Sequence, residues 1–233
     1  DEPNQLARWI TSYHREGRWV TDLSAMLPRF LAGGTFHFYL NTPQVDAQAN
    51  PMILDLRFRL SSQGKPDKPF ALVPLFTGDH AFDATYDAAY PDTTFTVPAG
   101  ATRAEVVTIV TGHGQDGNNC AEFCDHTHHF TINGAAEHVI DFPDPDVAQL
   151  QGCAAKVGRG VLPNQYGTWN IGRAAWCPGF DVAPIALDVT GDVHLDGTSN
   201  TAHYEAQFRG APYGGSTMGS ANITMASFLV AYH

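Results

Sequence analysis

Residues 105–110 read Glu105-Val106-Val107-Thr108-Ile109-Val110, and residues 223–232 read Ile223-Thr224-Met225-Ala226-Ser227-Phe228-Leu229-Val230-Ala231-Tyr232. β-Branched and aromatic side chains at this density predict strands, since the runs are far shorter than the roughly 18–20 apolar residues of a membrane span. They belong to a set that begins near Ala101 and also takes in 123–133, 138–142, 185–189 and 202–209. No helical period of a dozen residues competes with them. Upstream, period two recurs in 35–40, 52–60 and 70–76, with turn chemistry at 61–66 and at Gly78-Asp79. Residues 1–32 carry two short helical or irregular segments, 6–10 and 23–31, the second cut by Pro28. Short strands between Gly, Pro and Asn loops predict an all-β sandwich or jelly roll. Loop residues between Tyr90 and Gly100 divide the chain into a first part, 1–98, and a second, 99–233.

The chain has 233 residues, with 24 Asp and Glu against 13 Lys and Arg, a formal net charge of −11. Such a surface repels phosphate backbones, which excludes nucleic acid as the expected partner. With 43% hydrophobic and 16% charged residues, the composition is that of a folded domain. No transmembrane segment is expected. The sequence starts at Asp1 without a basic-then-apolar leader, as expected of a processed chain or a boundary. Four cysteines, at 120, 124, 153 and 177, are an even number in a Gly- and Pro-rich chain, which leans toward a periplasmic or extracellular location.

Residues 111–130 concentrate four histidines, two cysteines and Glu122. Side chains two apart on a strand share a face, so His126 and His128 point one way and His129 the other. Two imidazoles on one face are either a metal clamp or ordinary strand histidines. Cys120 and Cys124 leave two readings open. They complete a four-ligand zinc site with His126 and His128, or they form a disulfide that holds Glu122, with Cys153 and Cys177 as the second bridge. His113, between two glycines, is a further ligand or a turn residue. The acidic run Asp141-Phe-Pro-Asp-Pro-Asp146 reads as a solvated loop or a calcium site.

The runs Cys120-Ala-Glu-Phe-Cys124, Pro163-Asn-Gln-Tyr-Gly-Thr-Trp169 and Arg173-Ala-Ala-Trp-Cys-Pro-Gly179 resemble the second domain of the peptide-N-glycosidase F family, in that order and at similar spacing. The resemblance covers residues 100–233. A weaker likeness, in Ala7-Arg-Trp-Ile-Thr and Phe38-Tyr-Leu-Asn-Thr42, reaches the later part of the family's first domain. It implies two adjacent jelly-roll domains, the first incomplete, an architecture shared with copper monooxygenases that hydroxylate peptidylglycine. It also implies that Glu122, Arg173 and Trp176 line the cleft between domains. An aspartate central to the family's hydrolysis has no counterpart here, and a family glutamate falls on Asn41, which cannot move protons as an acid or base. A companion chain carrying the missing half-domain is the partner this implies.

The copper branch of that superfamily holds its substrate-side metal with a His-x-His strand and a methionine from a late strand. By that likeness His126, His128 and Met225, with His113 as a fourth ligand, would hold one copper ion, a donor set that favours Cu(I). The leading expectation is therefore an extracytoplasmic mononuclear copper protein, possessing redox or monooxygenase-like activity. The alternative is a glycan amidase or glycan-binding protein, with Glu122 as acid or base, Arg173 orienting it and Trp176 stacking on sugar. A structural or adhesive surface domain is the third. The substrate is a small molecule, peptide or glycan.

Overall fold

The computed structural model describes residues 4–13, 15–31, 33–41, 53–61, 67–142, 152–164, 166–167, 172–174 and 176–233. These contain nine strands: β1 (Pro69–Ala81), β2 (Thr93–Thr96), β3 (Arg103–Asp116), β4 (His126–Ile132), β5 (His138–Ile140), β6 (Ile185–Asp188), β7 (Ser199–Phe208), β8 (Ala211–Pro212) and β9 (Gly219–Tyr232). They form two sheets of order β1-β9-β3-β6 and β2-β7-β4-β5, with β8 paired to β7, all antiparallel. The all-β sandwich expected from the sequence is what the chain forms.

Strand β4 buries His126, His128, Phe130 and Ile132 and leaves the residues between them partly exposed, as expected where one face of a sheet meets the core and the other meets water. Strands β3 and β9 differ: 106–112 and 225–232 are buried on both faces. Their inward residues, including Val106, Val110, Met225 and Leu229, meet Phe130, Ile132 and Tyr204 of the facing sheet. Their outward residues Val107, Phe228 and Val230, with Leu72 beside them on β1, lie under Met26, and Leu6 and Phe30 pack against them. Farther along the same outer face, Ile109 packs with Ile10, Trp176 and Val182. Each such side chain taken from water stabilises the fold by about 1.5–3 kcal/mol. This double burial explains why both strands read as unbroken apolar runs.

The cover over that face comes from the N-terminal segment and from residues 172–182. Ile10 N donates to Phe180 O at 2.8 Å, Val182 N to Arg8 O at 2.8 Å, and Trp9 forms a bridge with Asp181. The stretch 6–10, read as helical or irregular, is therefore extended. Pro28 does not cut its segment but opens it, lying in the first turn of the short helix α1 (Leu27–Leu31), where a missing N–H costs nothing.

Other sequence expectations change. The division at 98/99 does not separate two folding units, because β1 pairs with β9 and β2 with β7 inside one sandwich. The turn expected at Gly78-Asp79 is the interior of β1, which absorbs its irregularity as a register shift between Pro74 and Thr77. Residues 35–40 and 53–60 carry no strand. Their rings gather around Phe30, with Phe36, Phe38 and Phe58 at centroid distances of 5.2, 6.5 and 6.1 Å, but no backbone ladder joins them. Alternation gave them a face without a hydrogen-bonding partner. Residues 42–52 lie outside the described residues, as do Trp169 and residues 143–146 of the acidic run.

Inside the sandwich runs a buried polar chain. Tyr86 and Tyr204 hydroxyls are 2.9 Å apart, the Tyr204 hydroxyl is 2.6 Å from His128 Nδ1, and His128 Nε2 is 2.9 Å from His126 Nδ1. The last nitrogen, His126 Nε2, lies beside the Ala121 carbonyl without a well-aligned bond. Because a carbonyl only accepts, the hydrogen of His126 belongs on Nε2, and donation then runs from Tyr204 to His128 to His126.

Two outcomes follow from this architecture. Both disulfides are formed, and Cys153–Cys177 closes a separation of 24 residues. Replacing both by serine is expected to cost about 3 kcal/mol in urea unfolding, the value for a loop of this size. Burial pushes the His126 imidazole down to about 4 and also lowers that of His128, with His126 as its second cause. The unfolded imidazoles, near 6.5, take up protons first as pH falls. Their stabilising contribution is thus complete above pH 6.5 and is lost toward pH 4, at about 1.4 kcal/mol per pH unit for each imidazole. Urea midpoints at pH 7.5 and 5.0 measure it, and equal midpoints would contradict it.

Candidate functional site

Glu122 is positioned by a tight loop at the end of β3. The Cys120–Cys124 disulfide closes it, with Cα atoms 4.8 Å apart. Asp116, buried, accepts from Asn118 N at 2.8 Å and from Cys120 N at 3.0 Å, and the Tyr213 hydroxyl donates to its other oxygen. Glu122 N donates to Gly114 O at 3.0 Å, and Ala174 N to Glu122 O at 2.8 Å. Gly112 is required beneath this loop: a Cβ there would lie 2.0 Å from the Ala121 carbonyl oxygen. Of the two readings open for these cysteines, the disulfide holds, and sulfurs bonded to each other cannot ligate zinc.

Opposite, Arg173 Nε donates to Glu122 Oε1 at 2.7 Å, with the side chains 7% and 19% exposed respectively. Glu122 Oε2 has no protein partner among the described residues. The Arg173 guanidinium lies 4.7 Å from the Trp176 ring centroid and 5.4 Å from that of Phe123. Trp176 is only 8% exposed and donates from Nε1 to Gly112 O at 2.8 Å. Too little of its face is free for a sugar to stack there. Instead it is a floor that fixes the Arg173 guanidinium. Tyr13 completes this wall: burial pushes its phenol up, and the charges of Arg173 and Glu122 act on it.

A second line of polar groups runs beside Trp176. Arg8 Nη1 donates to Thr111 Oγ1 at 2.6 Å and to Thr224 O at 2.7 Å, and Nη2 donates to Gln5 Oε1 at 2.7 Å. Thr111 Oγ1 is 2.7 Å from His113 Nε2, and the His113 ring is 5.5 Å from Trp176. Burial lowers the Arg8 guanidinium to about 10, which leaves it charged at neutral pH. Burial first, and then the Arg8 charge, lowers His113 to about 4. Sequence reasoning missed Arg8, Thr111 and Tyr13. Arg8 lay within the quoted run 7–11, but nothing in that run tells that it crosses to β3.

The expected copper ligands do not converge as a free donor set. His126 and His128 face the inter-sheet core, and each spends a ring nitrogen on the other at 2.9 Å, while His128 spends its second on Tyr204. His113 lies on the opposite face of its sheet: a Cβ on Gly112 would meet His126 Nε2 at 2.8 Å, so the next residue points away from that pair. Met225 is buried among apolar residues of the main core. Among the described residues no three His, Cys, Asp or Glu side chains gather where a metal ion could sit. His128 has both ring nitrogens engaged and His126 has Nδ1 engaged, while His126 Nε2 is turned to the Ala121 carbonyl, so the pair does not offer two free nitrogens to a copper ion without breaking these bonds.

The model of the family described as peptide-N-glycosidase F, C terminal, matches residues 81–230. The chain is 30% identical over 143 residues to a peptide-N(4)-(N-acetyl-β-D-glucosaminyl)asparagine amidase F of Elizabethkingia miricola, covering 58% of this chain and 36% of that one. Among solved structures it is similar to PNGase F, a glycosylasparaginase from Flavobacterium meningosepticum, with TM-score 0.52, 24% identity, and coverage of 69% of this chain and 51% of that chain. A crystal structure of peptide-N(4)-(N-acetyl-β-D-glucosaminyl) asparagine amidase gives TM-score 0.52 at 23% identity, covering 70% and 51%. The chain thus spans about a third to a half of the length of these relatives. With its disulfide-held Glu122, its Arg173 partner and a matching family model over most of its length, the chain belongs to the peptide-N-glycosidase F family.

Proposed function

We propose that this protein acts on the amide bond between N-acetylglucosamine and asparagine in a glycopeptide, with Glu122 as the proton-transferring carboxylate. The observation that carries the reading is Glu122 itself: one oxygen held by Arg173 at 2.7 Å, the other without a partner among the described residues, on a loop pinned by a disulfide. Hydrolysis of such an amide adds water to the carbonyl carbon, breaks the carbon–nitrogen bond and delivers a proton to the leaving nitrogen. A carboxylate fixed on one side and open on the other can accept the proton of that water or return it. Arg173 keeps the carboxylate in place, and Trp176 keeps Arg173 in place.

Asn41, where the family resemblance implies a glutamate, adds no second acid or base. The proposal therefore rests on Glu122 for proton transfer and on the surrounding wall for binding. Two disulfides support an extracytoplasmic setting for a glycopeptide substrate.

The test is a glycopeptide carrying N-acetylglucosamine on asparagine, with conversion of that asparagine to aspartate followed by mass spectrometry. Wild-type protein is expected to release the sugar, and Glu122→Gln, which keeps the shape but not the proton transfer, to lower the rate by about 10²-fold or more. No release by the wild type, or an equal rate in Glu122→Gln, would overturn the amidase reading. Retained glycopeptide affinity without release would leave a glycan-binding domain.

A further inference from the structure

The buried hydroxyl of Thr111 has two partners, Arg8 Nη1 at 2.6 Å and His113 Nε2 at 2.7 Å. Arginine can only donate, so it fills a lone pair of Oγ1. Among the described residues the hydrogen of Thr111 has no other acceptor within reach, and it therefore goes to His113 Nε2. A neutral imidazole that accepts at Nε2 carries its hydrogen at Nδ1. That atom has no protein partner among the described residues and is not a buried orphan, so it meets solvent. The cationic Arg8 on the far side of Thr111 opposes a second proton on the ring. The His113 ring and the Arg173 guanidinium both pack against Trp176, at 5.5 and 4.7 Å, and Glu122 N bonds at 3.0 Å to the carbonyl of Gly114, the chain neighbour of His113, so the ring belongs to the same wall as the Glu122–Arg173 pair.

We propose that His113 is a ligand-binding residue of this site: Arg8 and Thr111 hold its imidazole in the Nδ1–H form, and that N–H donates to an uncharged oxygen of the bound N-acetylglucosaminyl-asparagine. Arg8 and Thr111 are positioning residues, acting only through His113. The assignment rests on the glycan reading above for its ligand and on the hydrogen-bond order alone for its tautomer. A ring held neutral across the working pH range offers an N–H donor without a charge, which is enough for a carbonyl or hydroxyl oxygen.

Two measurements on the 233-residue chain test it. In two-bond proton–nitrogen spectra of ¹⁵N-labelled protein at pH 7, His113 is expected in the Nδ1–H form, and Thr111→Val is expected to admit the Nε2–H form. A wild-type ring with its hydrogen on Nε2, or a cationic ring at pH 7, overturns the relay. In calorimetric titration with the asparagine-linked N-acetylglucosamine glycopeptide, His113→Phe keeps the ring packing but not the donor and is expected to bind at least about tenfold more weakly. His113→Gln, which restores an N–H, is expected to recover most of that loss. Binding that is indifferent to His113→Phe overturns the donor role alone. No binding by a wild type that melts normally overturns the glycan reading and the donor role together.

Discussion

A sheet whose central strands are apolar on both faces has to be covered twice. Strands β3 and β9 impose this constraint, and the rest of the molecule answers it: the β2-β7-β4-β5 sheet covers the inner face, and the N-terminal segment with residues 172–182 covers the outer one. The inner cover produces the sandwich. The outer cover produces the site, because it brings Arg8, Tyr13, Arg173 and Trp176 against the end of β3 where Glu122 and His113 lie. Hydrophobic burial thus decides where the charged groups meet, and the charges themselves contribute position more than stability.

Much of the sandwich was legible in the sequence. Seven of the expected segments fall on strands, since β-branched runs and period-two alternation are local properties. Partner choice is not local. Residues 35–40 alternate as well as β4 does, yet they have no ladder, and the β1 strand runs straight through Gly78-Asp79 because β9 continues alongside it. Strand β2 was missed because Thr93-Thr94-Phe95-Thr96 is short and sits among Pro and Asp residues that read as a loop.

The site was legible in part, and for reasons that differ by residue. Glu122, Arg173 and Trp176 were visible through the two motifs 120–124 and 173–179 and do come together. The histidines misled because the His-x-His spacing was read without its phase. His126 and His128 are in register with Phe130 and Ile132, so the same alternation that makes β4 a strand sends both imidazoles into the core. There three of their four ring nitrogens are held by each other and by Tyr204, and His126 Nε2 lies beside the Ala121 carbonyl. Arg8 was invisible because its meaning depends on Thr111, 103 residues away. Buried polar chains of this kind are held by mutual hydrogen bonding in a low dielectric, and no single member announces it.

The outer cover is attached to the sandwich by scattered links rather than by a ladder: Trp176 Nε1 to Gly112 O, Ala174 N to Glu122 O, and Arg8 to Thr111 and Thr224. The long β3–β9 pairing beneath it spans 103–116 and does not depend on those links. Parts held by few backbone bonds open more readily than long ladders, so the outer cover is the part of this sandwich expected to open first. Heat or denaturant would peel that cover first, so the molecule is built to lose competence before it loses its shape.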